Sequence, residues 1–91
     1  MIRYRWNAEK NENLKQTRGV SFEQILWHIE QGDLLDVILH PNGQKYPHQQ
    51  ILMVRVGEYV YAVPFVEEGE DRFLKTIVPS RKATKKYLEE P

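Results

Sequence analysis

The chain has 91 residues, no cysteine, 41% hydrophobic residues and a formal net charge of zero. This length gives room for one domain spanning residues 1–91, and the composition is apolar enough for a compact core. The lack of cysteine excludes a disulfide scaffold, a thiolate zinc site and a cysteine nucleophile, and it fits a cytoplasmic location. No apolar run approaches the roughly 20 residues of a membrane span, so no membrane contact is expected.

The first predicted elements are a strand and a polar helix. Residues 2–6 alternate apolar and basic side chains, which is typical of a strand with one buried face. Asn7 supplies a cap for a helix over residues 8–17. That helix is polar on most sides, with Leu14 as its clearest apolar residue, and is expected to lie on the surface. Gly19 is expected to end it.

The second predicted helix has the clearest amphipathic pattern. Ser21 and Gln24 form a capping box, the reciprocal pairing of side chains and backbone that starts a helix. Apolar residues from Phe22 to Ile29 then fall on one face at helical spacing. Gly32 ends the helix. We expect this helix to pack on the sheet.

The remaining sequence predicts four strands and a closing helix. The strands cover residues 34–39, 51–56, 59–66 and 72–78. A loop over 40–47, a tight turn at Gly57 and a loop over 67–71 separate them, and Pro64 predicts an edge or a bulge. Ser80 is a plausible cap for a final helix of about ten residues. The predicted fold class is α+β, in the order β-α-α-β-β-β-β-α, with short helices packed on a mainly antiparallel sheet of about five strands.

Charge is segregated along this neutral sequence. Residues 1–20 carry a net charge of +3 and residues 72–91 a net charge of +4, while residues 21–71 carry −7. If the two ends meet in the fold, they form one basic surface that attracts phosphate backbones without reading sequence. If the two signs intermix in space, they cancel.

The last predicted strand and helix carry the densest basic segment. Between residues 72 and 86 there are six basic residues and no acidic one. One interpretation is a strand and helix that grip phosphate; the alternative is a solvated helix face beside ordinary strand-edge lysines. Likewise, the ring of Tyr87 either stacks on a base or packs against the residue four positions before it. The candidate RNA-binding residues are Arg18, Lys75, Lys85, Lys86 and Tyr87.

Both ends of the chain resemble the BrnT family of toxins. Segments 6–10 (WNAEK) and 18–23 (RGVSFE) are similar to that family's opening Trp-Asp-x-x-Lys, then Lys-His-Gly-Val, then Ser-Phe-Glu. Segment 77–84 (IVPSRKAT) is similar to its closing Ile-Ser-Ala-Arg-Arg-Ala-Thr. Two motifs at the correct ends of a chain of this length make the resemblance moderately specific.

The resemblance implies a RelE-like fold and a specific activity. It implies a metal-independent endoribonuclease without a cofactor, the toxin of a type II toxin–antitoxin system, which inhibits translation by cleaving RNA. It implies a cognate antitoxin, a small DNA-binding protein, and a toxin homodimer within a symmetric complex. By position in the motifs, the candidate catalytic residues are Lys10, Arg81, Lys82 and Thr84.

Metal-independent RNA cleavage sets chemical requirements for the site. A base must take the 2′-hydroxyl proton, an acid must protonate the leaving 5′ oxygen, and cations must stabilise the pentavalent phosphate. Arg81 is the best cation candidate, because its planar fork suits phosphate oxygens, and Lys10 and Lys82 can assist. His48 is the candidate for proton transfer, because it lies in a polar loop and titrates near neutrality. The alternative is an ordinary exposed loop histidine.

The chain departs from the family motifs at two positions. Asn7 stands where the family has Asp, and Arg18 stands where it commonly has His. If that His contributes to catalysis in relatives, another group carries its role here, or the chain binds without cleaving. The alternative function is therefore a non-catalytic module that binds RNA or protein through its basic ends. The RNA hypothesis predicts that residues 1–20 and 72–88 share one face, with Lys10 and Arg81 in one groove.

Overall fold

The computed structural model describes residues 2–90, and it is an α+β fold with a mainly antiparallel open sheet. The predicted order of helices and strands is confirmed, with one additional two-residue strand. The C-terminal helix consists of α3 and, directly after it, a π-helical segment. The elements are β1 (Arg3–Trp6), α1 (Ala8–Arg18), α2 (Phe22–Glu30), β2 (Leu34–Leu39), β3 (Gln49–Val56), β4 (Tyr59–Glu68), β5 (Asp71–Leu74), β6 (Val78–Pro79), α3 (Arg81–Thr84) and the π-helical segment (Lys85–Glu89).

The predicted caps start and end the first two helices. The Asn7 side chain accepts the Lys10 backbone N–H at 2.9 Å, and Gly19 takes a left-handed φ of 67° at the end of α1. The Ser21 hydroxyl accepts the Gln24 N–H at 3.1 Å at the start of α2. The Asn7 and Ser21 side chains each satisfy a backbone N–H that the first turn of the helix leaves without a partner.

A buried amide joins the polar helix α1 to α2. Asn11 is 4% exposed; its Nδ2 donates to Glu23 Oε1 at 2.7 Å, and its Oδ1 accepts the Phe22 N–H at 2.8 Å. The hydrogen bond from Asn11 is the main reason that the pKa of Glu23 lies below its ordinary value. With Leu14 buried one turn later, α1 is anchored to the core although most of its surface is polar.

The sheet has the strand order β1-β5-β4-β3-β2, with β1 and β2 at its edges. The long strands β2, β3 and β4 form an antiparallel meander, and β5 continues it. Only β1 runs parallel to its neighbour, since Arg3 to Trp6 pair with Asp71 to Leu74. This pairing brings the two ends of the chain side by side.

The prediction of one strand over residues 72–78 is wrong in one respect, because this segment forms two strands, β5 and β6, with a gap between them. The Lys75 N–H donates to the Pro64 carbonyl at 2.8 Å, but proline has no N–H to return the bond, so the ladder stops there. It resumes where β6 pairs with β4 at Tyr61 and Ala62. The loop predicted over 67–71 is also shorter than expected, because β4 and β5 extend to a two-residue turn at Gly69.

The sheet has two unlike faces, which alternate along every strand. We call the side packed against α1 and α2 the helical face; its strand residues include Leu52, Val54 and Phe65. We call the other side the open face; there Ile51, Met53 and Val60 pack against Ala83 of α3. The helical face buries the larger cluster: Leu14, Val20, Phe22, Ile25, Leu52, Val54, Val63, Phe65, Leu74 and Ile77.

Helices α1 and α3 therefore lie on opposite faces of the sheet, and the prediction of one groove holding Lys10 and Arg81 is wrong. The four consecutive buried residues Ile51 to Val54 give the physical reason. A strand that is apolar on both sides must be covered on both sides, and α2 with α1 covers only one. The C-terminal helix has to cover the other.

Candidate nucleic-acid interface

The C-terminal helix is held on the open face by its first turn. The predicted cap is confirmed: the Ser80 hydroxyl accepts the Ala83 N–H at 3.1 Å. The Thr84 hydroxyl accepts the Val60 N–H at 2.8 Å and donates to the Ser80 carbonyl at 2.7 Å, with the side chain buried. Thr84, a catalytic candidate, thus has its hydroxyl engaged on both sides, in a position that fixes the helix to β4.

The far end of this helix is tied to the edge strand β2. The Tyr87 hydroxyl donates to Asp36 Oδ2 at 2.7 Å, and Asp36 Oδ1 accepts the Val37 backbone N–H at 2.8 Å. These bonds, with a smaller contribution from the charge of Lys86, hold the pKa of Asp36 below its ordinary value. The same hydrogen bond to Asp36, together with partial burial, raises the pKa of Tyr87, so the phenol stays protonated at neutral pH.

A groove runs between the C-terminal helix and the open face. Its volume is about 370 Å³, and its floor is apolar. The side of the groove formed by the C-terminal helix carries two ammonium groups, those of Lys82 and Lys86. Arg81 and Lys85 of the same helix are not among the lining residues. The groove is lined by Ile38, Pro41, Ile51, Met53, Ala62, Ser80, Lys82, Ala83, Lys86 and Tyr87.

Two arginines of β1 also project from the open face. Tyr4 and Trp6 pack into the core of the helical face, so Arg3 and Arg5 alternate to the other side. Asp71, with 9% of its side chain exposed, accepts Arg3 Nε at 2.8 Å and lies 3.6 Å from Arg5 Nη1. One buried carboxylate thus orients two arginine side chains that remain mostly exposed, and together they leave a net positive charge.

An aromatic ring and a lysine of the β5 region extend this basic side. Phe73 stands opposite Arg5 in the parallel register and alternates away from buried Leu74. The Lys75 ammonium lies 5.1 Å from the centre of the Phe73 ring. A half-exposed ring beside cations is a surface on which a nucleobase can stack while phosphates meet the charges. Lys75 was predicted from the sequence to bind RNA, whereas Arg3 and Arg5 were not, although their alternation with Tyr4 and Trp6 was a signal.

The remaining predicted site residues are dispersed. Lys10 and Arg18 belong to α1, on the helical face. The Arg18 guanidinium donates to the Ile77 backbone carbonyl, which gives this residue a structural contact in the gap between β5 and β6. His48 is exposed in the loop after β2 and lines a different hollow, which includes Leu39 and shares no residue with the groove.

Other kinds of site lack support within residues 2–90. No group of three histidine or carboxylate side chains in this part of the chain could hold a metal ion. None of the helices described is long and apolar enough to cross a bilayer. The arrangement that the structure does offer is a groove and a flanking strand pair, both with exposed cations.

No family model, curated protein or solved structure matches this chain. The likeness to BrnT toxins therefore rests on the motif segments alone, and the RelE-like identity of the fold remains an expectation.

Proposed function

We propose that this chain binds RNA through the open face and acts as the endoribonuclease toxin of a toxin–antitoxin pair. The observation that carries the proposal is that basic residues from both ends of the chain lie on that face. The strand β1 contributes Arg3 and Arg5, and the C-terminal helix contributes Lys82 and Lys86. The RNA hypothesis made from sequence required Lys10 and Arg81 in one groove and fails in that form, because α1 with Lys10 lies on the other face. The present proposal rests on the open face alone.

The groove provides some of the groups that the reaction requires. In the reaction, the 2′ oxygen loses its proton and attacks the adjacent phosphorus, the bond to the 5′ oxygen breaks, and that oxygen takes up a proton. Lys82 and Lys86 supply charge that can stabilise the phosphate oxygens. The Tyr87 hydroxyl on the same side of the groove already donates its proton to Asp36. The apolar floor, including Met53, suits the face of a base.

A specific observation favours a second candidate, a non-catalytic RNA-binding module. The residues that line the groove include no imidazole and no carboxylate, the groups that most often take a proton from a 2′-hydroxyl. His48, the residue predicted to transfer protons, lines a separate hollow. Both candidates use the same face and make the same prediction for binding; they differ only in whether RNA is cut.

The C-terminal helix offers a matched pair of double variants to test the binding surface. Lys82→Ala with Lys86→Ala removes two charges from the groove, and Arg81→Ala with Lys85→Ala removes two exposed charges outside it. We expect the groove pair to weaken binding of a single-stranded RNA at least tenfold. The slope of log K against log salt should also become less negative by about 1.4, since each contacted phosphate contributes about 0.7. The outer pair should change both much less.

Binding, RNA cleavage and growth are measured on the same proteins. The toxin proposal is supported if the wild-type protein cleaves the RNA and arrests growth without an antitoxin, and if the groove pair of substitutions abolishes both effects. Binding without cleavage or growth arrest supports the second candidate. If both pairs of variants lose RNA affinity equally, RNA does not bind in the groove. If the affinity of the wild-type protein does not depend on salt, the protein does not contact the phosphates of the RNA.

A further inference from the structure

The two edge strands of the sheet are protected to different degrees. The exposed backbone of β1 is flanked by Arg3 and Arg5, and charged side chains discourage pairing with another strand. The strand β2 has the sequence LLDVIL, with neither a basic residue nor a proline. Its only charged residue, Asp36, is engaged with Tyr87 and with the Val37 N–H. The β2 edge therefore lacks most of the usual barriers to strand addition.

The outward backbone groups of β2 can be identified from the ladder. The His40 N–H donates to the Gln49 carbonyl at 3.0 Å, toward β3. Because bonding directions alternate in an antiparallel pair, the N–H and C=O groups of Val37 and Leu39 point away from β3. The Val37 N–H is covered by Asp36. The Leu39 N–H and both carbonyls remain directed outward.

The side chains at this edge are apolar and exposed. Leu39 is 78% exposed and Val37 is 36% exposed. They stand opposite Gln50 and Leu52 of β3, so they lie on the helical face, beyond the cover of α2. Exposed neighbouring apolar side chains on an available strand edge are typical of a binding surface.

The charge around this edge limits what can bind there. Residues 19–44 contain four carboxylates and no lysine or arginine. Two of these, Glu30 and Asp33, lie just before the start of β2, where Asp33 is bonded to His28 at 2.9 Å. A further carboxylate, Glu67, lies near the other end of β2 and accepts a 2.9 Å bond from Gln50, the residue opposite Leu39. The edge is thus apolar in the middle and acidic toward both ends.

We propose that the edge of β2 takes up an extended segment of a partner protein that is apolar in its middle and carries lysine or arginine at both ends. Main-chain bonds to Val37 and Leu39 would add it to the sheet, its apolar side chains would cover these two residues, and its cations would meet the flanking carboxylates. A second copy of this chain fits less well, since antiparallel pairing of two β2 strands brings acidic ends together. Val37 and Leu39 do not line the groove, although Ile38 between them does, and the inference holds whether or not the protein cleaves RNA.

A synthetic peptide tests this surface directly. The probe is a seven-residue peptide, blocked at both ends, with valine or isoleucine in its middle and lysine at each end, and its control carries glutamate in place of lysine. On binding to the wild-type protein, we expect slower hydrogen exchange at the Leu39 amide and unchanged exchange at Ile38, which faces β3. The glutamate peptide should bind at least tenfold more weakly.

Two substitutions at one position separate backbone from side-chain contacts. Leu39→Pro removes an outward N–H without removing a bond to β3, as edge positions tolerate, and should lower affinity at least tenfold. Leu39→Ala keeps the N–H and should lower affinity several-fold. The groove pair Lys82→Ala with Lys86→Ala should bind the peptide like the wild type, so failure here and failure of the RNA proposal are distinguishable.

Three results would overturn the inference. The first is equal affinity of the protein for both peptides. The second is binding of the lysine peptide to the wild-type protein without slower hydrogen exchange at the Leu39 amide. This measurement does not depend on the folding of any variant. The third is a dimer in sedimentation experiments that Leu39→Pro abolishes, because it would assign the edge to a second copy of the chain.

Discussion

The two faces of the sheet use the same strands for different purposes. The helical face buries ten residues in one apolar cluster, whereas the apolar cluster of the open face has four buried residues, Ile51, Met53, Val60 and Ala83, with a groove beside them. The first face is filled where α1 and α2 cover it. The second is covered only as far as one short helix reaches, and the uncovered part carries exposed cations. Incomplete cover on one side is thus what gives this small sheet a surface for binding.

The largest expected effect comes from the filled face. Phe22 is fully buried and stacks on Trp6 with ring centres 5.5 Å apart, so Phe22→Ala leaves a cavity and should lower the free energy of unfolding by about 3–5 kcal/mol. Met53→Ala removes a side chain of the open face that borders the groove, where neighbours and water can fill the space, and should cost about 2 kcal/mol. Urea denaturation measures both. Equal losses would contradict the difference between the faces.

The next effect tests how the C-terminal helix is attached to the open face. Thr84→Val keeps the shape of the side chain but leaves the buried Val60 N–H without an acceptor, which should cost about 1–3 kcal/mol. Thr84→Ser keeps the hydroxyl and should recover most of that loss. If valine and serine behave alike in urea denaturation, packing rather than hydrogen bonding holds the helix, and Thr84 would be open to another role.

The smallest effect concerns the far end of the same helix, and it should be present at neutral pH and disappear at low pH. The hydrogen bond from Tyr87 lowers the pKa of Asp36 in the folded state, so the stability it contributes is present above the ordinary pKa and is lost as pH falls through the lowered one. Tyr87→Phe removes the bond and should make unfolding less dependent on pH between about 5 and 3, relative to the wild type. Parallel pH profiles for the two proteins would show that the bond contributes nothing to stability.

Local signals in the sequence were sufficient for most of the secondary structure. Asn7, Ser21 and Ser80 cap helices as predicted, because each places a side-chain oxygen where a backbone N–H of the first turn needs one. The edge or bulge predicted at Pro64 is wrong, because β4 is a central strand that pairs with β3 without a register shift, and the interruption falls in the strand beside it. The caps are interactions over a few residues, so they can be found without the fold.

The candidate site was only partly predictable. Lys82, Lys86 and Tyr87 were identified from the basic closing segment, and all three line the groove. The Asp36 carboxylate that fixes Tyr87 is 51 residues away in the chain, and no spacing rule connects the two. The same holds for Asp71 and Arg3, which are 68 residues apart.

The sequence by itself determined the helices, the strands and the segregation of charge toward the two ends. Only the tertiary structure decided on which face of the sheet each charged segment lies, and so it separated Lys10 from Arg81. A hydrophobic period shows that a helix has a buried side, but it does not say which of two apolar sheet faces that side will cover. That choice depends on how distant strands pair, since a parallel β1–β5 pair and a final helix crossing β4 set the positions of both ends of the chain.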